Sequence, residues 1–507
     1  MKKIKGNDSK KKSMKKAVKE KIICQDIVDE IIPCSLMYSA VGISRMIPSA
    51  VDGLKATQRK VLFIMMKNKI FDYTKNNKVI GDVTPYVDTG DDGIYGSLIR
   101  LCQEDRYKRT PITGHGNVGY ISGGLDEFAA ARYTESKLSE FGRDCYFPPE
   151  WQDAIFDESY SGLKYPTALP SVLPMGLILG STGVSTGYKN DCPPHNFKSV
   201  GLSYIAFLKD LYNVSHSSKE ERDKASKKML DYVLKTMKPE FPNKCIVHPI
   251  SEKGIYNGLT TGKGKLIAQG KIHKEDYTYG RSKFIVTELP YLVSPRNYKA
   301  SFYGNIRAAE FFSQVEDYSG KDGTYVEIVV KKDVDLKAAE KYIKEETAFT
   351  KQFNYTLYVN HDKLAYRFSI LDIFTHHHDY RLDCMMRYYN RRKKELIDKK
   401  AYLVAVKYII ATNESRRDKF IKIVTKASNK DIMISKIYKE FSKEVPLNNE
   451  IIEYVVKSRF DSLMNSAEEI NKKIKEIDMN LKEIDIILEK PEEKMIKDIE
   501  ELIKKYK

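Results

Sequence analysis

Six aliphatic residues near the end of the chain, Ile470, Ile474, Ile477, Leu481, Ile484 and Leu488, are spaced alternately by four and three. This is the seam of a heptad repeat, flanked by Lys and Glu, and a lone helix cannot bury it. It requires a second helix of comparable length. The charge-crowded helical stretch from Leu371 to about Ala411, with Arg391, Arg392, Lys393 and Lys394, supplies one. The two are expected to pair antiparallel within the chain, with a small helical unit of about residues 413–465 at the far tip. Pro491 interrupts the pattern, and a last short helix holds Ile496, Ile499 and Ile503.

The rest of the chain reads differently. Its 507 residues leave room for roughly three domains at ~150 residues each. Residues 28–145 are helical with tight turns: an apolar helix over Val61–Met66 after the turn Asp52-Gly53, then another over Ile94–Cys102 opened by Asp91 and Asp92. Such helices in a basic chain allow a helix-turn-helix. Between 161 and 370, strand-like runs such as Ile285-Val286-Thr287 and Tyr325–Val330 alternate with Gly and Pro punctuation, which reads as α+β. The pair Asp333 and Asp335 precedes a helical run, so a cap is the expected role rather than a metal site.

Charge narrows the partners. Lys and Arg total 86 against 69 Asp and Glu, a net charge of +17. About half of it sits in the first 21 residues, with ten lysines against one Asp and one Glu. That stretch reads as a mobile basic arm (residues 1–27), and polyanions, nucleic acid first, are favoured partners. No run reaches the ~18–20 uninterrupted apolar residues of a membrane span. The lysine-rich start lacks the apolar core of a secretory signal. The seven cysteines form no C-x-x-C pair, which suits a reducing cytoplasm without structural zinc. The cluster His376, His377 and His378 points in different directions on a helix and reads as a solvated polar face. There is no phosphate-binding P-loop or dinucleotide fingerprint, so an ATP-driven activity needs a partner.

Three strings carry the strongest signal. The first is Ile47-Pro48-Ser49-Ala50-Val51-Asp52-Gly53-Leu54-Lys55-Ala56-Thr57-Gln58-Arg59-Lys60-Val61-Leu62. The second is Gly114-His115-Gly116-Asn117-Val118-Gly119, followed by Ala129-Ala130-Ala131-Arg132-Tyr133-Thr134-Glu135. The third is Leu169-Pro170-Ser171-Val172-Leu173-Pro174, then Gly180–Gly187, then Pro193-Pro194-His195-Asn196. In this order and spacing the chain resembles the breakage-reunion subunit of type IIA DNA topoisomerases: gyrase A, topoisomerase IV C and the T-even phage medium subunit. The resemblance runs over about residues 28–505. Weaker echoes are Thr261-Gly262-Lys263-Gly264, Glu288-Leu289-Pro290-Tyr291 and Ser458-Arg459-Phe460-Asp461-Ser462-Leu463.

The resemblance implies an α+β multidomain fold. A winged-helix cleavage domain would occupy 28–160, a tower-like domain 161–370, and a long antiparallel coiled coil with an exit-gate tip 371–507. It implies that Tyr133 forms a transient phosphotyrosine link to DNA, with Arg132 stabilising the transition state. Arg45, Lys55 and Arg59 would contact phosphate, and Val184, where the family usually has isoleucine, would wedge between base pairs. The chain has three Arg-Tyr dipeptides, and only Arg132-Tyr133 follows the glycine-rich turn; Arg106-Tyr107 and Arg387-Tyr388 read as surface residues. Mg2+ and ATP would belong to a partner subunit, none being bound by this chain alone. Two copies would join two partners in a heterotetramer on double-stranded DNA, in the cytoplasm, without a membrane. The absence of a β-pinwheel after residue 507 favours relaxation and decatenation over supercoiling. The separate subunit and divergent histidines suggest a phage or other virus.

One departure stands out. Tyr86-Val87-Asp88-Thr89-Gly90-Asp91 occupies the place of a family motif containing two histidines, and a residue is missing upstream. Gln58 replaces a further histidine of gyrase A, as is normal in eukaryotic members. Either another group assists Tyr133, with His115 a candidate at a position where the family usually has glutamine, or cleavage is slower. A turn role for His115 competes with catalysis. A non-catalytic DNA-bridging protein that kept the fold is the rival from another class, and a tyrosine recombinase the second enzymatic one.

Overall fold

The computed structural model of the chain describes residues 26–120, 128–214, 219–249, 254–303, 305–320, 323–361, 364–427, 429–443, 445–457 and 467–506. The basic stretch 1–21 and the string Ser458–Leu463 lie outside the described residues.

The first part contains helices α1 (Ile27–Met46), α2 (Ala56–Lys67), α3 (Asn76–Val83), α4 (Asp91–Cys102) and α5 (Glu140–Tyr146), with strands β1 (Thr74–Lys75), β2 (Ile112–His115) and β3 (Glu135–Leu138). The strands form an antiparallel sheet in the order β1-β3-β2. Helix α2 carries five consecutive apolar residues, Val61–Met65, all buried, so it is enclosed on most sides. It follows a turn in which Gly53 takes φ +69°, and any Cβ there would lie 2.0 Å from the Cα of Gly176. Glycine is the residue that satisfies both demands. Asp91 and Asp92 occupy the first turn of α4, where the helix dipole favours negative charge.

The chain then passes through hairpin β4 (Phe156–Glu158) and β5 (Lys164–Pro166), α6 (Met175–Leu179), β6 (Ser181–Ser185), β7 (Tyr188–Cys192), α7 (Phe197–Val214), α8 (Lys219–Thr236), β8 (Ile246–Pro249), α9 (Gly254–Thr261) and β9 (Lys263–Gln269). It continues with β10 (Lys271–Asp276), β11 (Ser282–Glu288), α10 (Pro295–Ala300), α11 (Ile306–Phe311), β12 (Phe312–Asp317), β13 (Val326–Val330), α12 (Leu336–Glu346), β14 (Thr350–Thr356), β15 (Tyr358–His361) and β16 (Leu364–Arg367). One five-stranded sheet runs β6-β7-β14-β9-β8 and a four-stranded sheet runs β10-β11-β13-β12. The main apolar core does not break at residue 160. It joins Ala50 and Ile80 to Leu173, Tyr204, Phe353, Phe374 and Leu502, while Phe284–Phe349 hold a second, nested core. Asp335 caps α12 by accepting the Lys337 N–H.

Helix α13 (Ile370–Val406) ends in a π-helical turn, Lys407–Ala411. After α14 (Glu414–Lys426), α15 (Lys430–Phe441) and α16 (Asn449–Lys457), the chain returns as α17 (Ala467–Glu489) and α18 (Pro491–Lys505). The heptad seam pairs as its spacing demands: Ile477 and Ile484 bury against Leu396. Lys393 reaches Asp485 and Lys400 reaches Asp478, both at 2.6 Å, so α13 and α17 run antiparallel. Pro491 opens α18 at a position where a missing N–H costs nothing. Helix α18 folds back onto the first part of the chain. Lys505 bonds Glu140 and Asp144 at 2.5 and 2.6 Å, Tyr506 stacks edge-on to Phe141, and Ile503 lies against Gly201 of α7.

One expectation is corrected. His376–His378 do not form a solvated face, because the base of α13 packs on the main core. His377 and His378 are buried, His377 bonds Tyr204, and His376 stacks on Phe368. One turn on, Arg381 is fully buried between Glu150 and Asp498. Helix α1 carries Asp29, Glu30 and Arg45, so it holds no uninterrupted apolar run of ~18–20 residues, although by length and composition it is apolar enough to cross a membrane. Most of its large apolar side chains are exposed.

Candidate functional site

Tyr133 ends a single 3-10 turn, Ala131–Tyr133, that leads into β3. The residue after it is clamped. Thr134 is buried, its hydroxyl accepts from Asn76 Nδ2 at 2.7 Å and meets Tyr95 Oη at 2.7 Å, and Tyr95 donates to the Ala129 carbonyl. The Asn76 N–H bonds the Thr134 carbonyl, and Ser136 Oγ donates to Asn76 Oδ1. From below, Gly116 turns at φ +91°, and a Cβ there would stand 3.1 Å from the Tyr133 carbonyl oxygen. On this fixed base the Tyr133 side chain is 65% exposed, with the Arg132 guanidinium 4.8 Å from its ring centroid. The phenol is thus presented outward by a backbone that has little freedom, and a cation stands beside it.

Lys55 caps the start of α2, where Gln58 Oε1 accepts the Lys55 N–H. Its ammonium is held below the ordinary lysine range, first by burial and then by the charges of Arg100 and Arg106. Arg100 ends α4, and Arg106 is fixed by Gln103 Oε1 at 2.6 Å. Two guanidiniums that press on an ammonium in this way make a place that favours an anion. Sequence reasoning missed Arg100 and set Arg106 aside with the surface Arg-Tyr pairs. The signal available was their position around the end of the amphipathic helix that precedes Gly114–Gly119. Arg106 also lines a cleft with Gly180, Ser181 and Thr182, at the root of the strand that carries Val184.

Arg59 does not stand with them. It is 7% exposed, and its Nε and Nη2 bond both oxygens of Asp52. A buried carboxylate is its partner, in an internal ion pair. Its neighbour Lys60 is buried too, with Nζ 4.0 Å over the Tyr165 ring. Arg45, exposed, lies 3.5 Å from Asp88, a residue of the segment that departs from the family motif.

Val184 sits in β6 and is 61% exposed, so it is no core valine. The preceding Gly183 is pressed against the end of α1: a Cβ would lie 2.2 Å from the Met46 carbonyl. Lys189 is the cross-strand neighbour of Val184, and in the same sheet Lys263 and Lys265 stand opposite Thr356 and Asn354. His115 ends β2 opposite Glu135, two residues beyond Tyr133. Among the described residues no three His, Cys, Asp or Glu side chains gather as a metal site. Cys34, Cys102, Cys145, Cys192, Cys245 and Cys384 are free thiols.

Comparison with known proteins accords with this geometry. A family model for the A subunits of DNA gyrase and topoisomerase IV matches residues 45–502. The chain is 31% identical to the DNA topoisomerase 4 A subunit of Bacillus subtilis over 344 residues, 66% of this chain and 40% of that protein. It is 29% identical to the DNA gyrase A subunit of Aminobacterium colombiense over 372 residues, 70% of this chain and 43% of the other. With the DNA gyrase A subunit of Ureaplasma parvum serovar 3 the identity is 27% over 428 residues, 82% and 48%. The chain thus spans less than half the length of these relatives.

Proposed function

Because the chain belongs to the gyrase A/topoisomerase IV A family, we propose that it is the breakage-reunion subunit of an ATP-dependent type II DNA topoisomerase, with Tyr133 as nucleophile. The observation that carries the assignment is the exposed Tyr133 on its clamped turn beside Arg132. The tyrosine oxygen attacks a backbone phosphorus, a phosphotyrosine bond forms as the bond to the deoxyribose oxygen breaks, and the reverse step reseals the strand. A free phenol with pKa ~10 is a poor nucleophile at neutral pH. Arg132 offsets the negative charge that develops on the phosphoryl oxygens. Lys55, Arg100 and Arg106 position the backbone without reading bases.

In this reading α2–α4 with β1–β3 are the winged helix, the two larger sheets form the tower, and α14–α16 form the exit gate of a homodimer. A partner subunit supplies ATP hydrolysis and the Mg2+ that lowers the barrier to cleavage. Passing one duplex through the break relaxes and decatenates DNA. Trapping with denaturant tests the assignment: the chain, mixed with an ATPase/metal subunit and Mg2+, should yield DNA covalently bound at Tyr133. A second reading, a DNA-bridging protein without catalysis, draws on Asp88, whose carboxylate holds Arg45 in the segment where the family has histidines. Tight DNA binding with no adduct would select it.

A further inference from the structure

The outer face of the small sheet β1-β3-β2 adjoins the nucleophile and has no part in the steps above. Lys75 and His115 each stand opposite Glu135, one on either side. Partners across antiparallel strands share a face, so the three form one row over three strands. Lys75 Nζ is 2.8 Å from Glu135 Oε1, and His115 Nδ1 is 3.5 Å from Oε2. The Glu135 carboxyl is held below its ordinary range, chiefly by the hydrogen bond from Lys75. The Tyr73 ring lies 5.3 Å from the imidazole, and Lys137 Nζ stands 4.6 Å over that ring.

This row is fixed to the nucleophile. Glu135 is two residues beyond Tyr133, and at Gly116, next to His115, a Cβ would stand 3.1 Å from the Tyr133 carbonyl oxygen. The His115 side chain is 69% exposed, so with Nδ1 turned to Glu135 it presents its other nitrogen to the surroundings. Two lysines against one glutamate leave a single positive charge when the imidazole is neutral and two when it is protonated. Cations interleaved with an aromatic ring beside a strand-cleaving tyrosine suit a sugar–phosphate backbone.

We propose that this face seats a backbone phosphate of the strand attacked by Tyr133, with Lys75 and Lys137 as its cations and the His115 imidazole as a hydrogen-bonding neighbour. The proposal rests on the cleavage reading. His115 acts by binding and takes no proton from the tyrosine. The groups that face it are Lys75 from β1, Glu135 and Lys137 from β3, and Tyr73 before β1.

The test is the salt dependence of affinity of the full chain for a fluorescent DNA duplex, without partner subunit or Mg2+. Each phosphate neutralised adds about 0.9 to the slope of log K against log salt. His115→Gln should bind the duplex more weakly than the unaltered chain, with Tm nearly unchanged because the side chain is exposed. Lys75→Gln and Lys137→Gln should each lose about 0.9 of slope. Unchanged slopes in the lysine variants overturn the proposal. The lysine variants decide it if His115→Gln does not fold. Covalent trapping keeps the two readings apart. Adducts at Tyr133 with matching slopes sink the phosphate seat alone, whereas no adduct in the unaltered chain sinks the nucleophile.

Discussion

Arg59 grips Asp52 at two points, Nε to Oδ2 at 2.5 Å and Nη2 to Oδ1 at 2.9 Å, and the same carboxylate accepts the backbone N–H of Leu169. The pair therefore bolts the start of α2 to a segment 117 residues further on. Asp52→Asn would leave a buried guanidinium without its counter-charge, a loss of roughly 3–5 kcal/mol. A lowered Tm and denaturation midpoint are expected. Lys55→Ala should leave both nearly unchanged and weaken DNA binding instead. The reverse pattern would show that Arg59 serves DNA and Lys55 the fold.

Tyr133→Phe removes one oxygen from an exposed side chain, so stability and DNA affinity should persist while covalent adducts disappear. Arg132→Ala should keep the nucleophile and slow cleavage by about 10²-fold or more. Quantifying trapped adducts on a labelled duplex checks both, and adducts persisting without the Tyr133 hydroxyl would refute the nucleophile.

Val184→Ala should shift Tm little, since the side chain is mostly in solvent. If Val184 inserts at a kinked base step, its apolar surface offsets lost stacking, and truncation should reduce DNA bending and cleavage together. Energy transfer between the ends of a duplex reports the bend. Normal bending in the alanine variant would exclude the wedge.

Acid should destabilise the chain through two buried histidines. His195 lies between the Leu177 carbonyl and Tyr355 Oη, and burial lowers it to about 4. His377 is lowered to about 3, first by burial and then by Arg381. Unfolded histidines take up protons near pH 6.5, so the unfolded chain binds more protons from there down to the folded values. Stability falls as pH drops through that window, by about 1.4 kcal/mol per pH unit for each site. His378, raised by Glu492 and Asp379 against its burial, acts oppositely: its contribution is full at low pH and lost as pH rises through its folded pKa. Urea unfolding from pH 7 to 4.5 should show the net acid loss, and His195→Gln should flatten it. A slope unaffected by that change would mean His195 is not buried neutral.

The long helices, the strands around Ile285 and Val326 and the cap at Asp335 were legible because each is written in local periodicity or in a short-range bond. The seam from Ile470 to Leu488 even implied its partner, since its burial needs one. Arg59 was not legible. Whether a basic residue faces solvent or a carboxylate depends on where Asp52 and Leu169 meet, and no spacing encodes that meeting. The histidine triplet failed likewise, because Tyr204, Ser171 and Glu492 come from three distant segments. Tyr133 could be singled out by its neighbours in sequence, but its rigidity comes from Asn76 and Tyr95, far upstream.

The docking of α18 bears on how this chain is made. Lys505 meets Glu140 across 365 residues, and Tyr506 covers Phe141 and Phe197. At ~5–20 residues per second, translation separates these partners by roughly 20–70 s. Throughout that interval the face around Phe141 and Phe197 emerges from the ribosome without its cover, a sticky surface on a nascent chain. A ribosome stalled anywhere before α18 would release a product whose first part is already built yet prone to aggregate, so production of this protein should depend on chaperones that shield that face until α18 arrives.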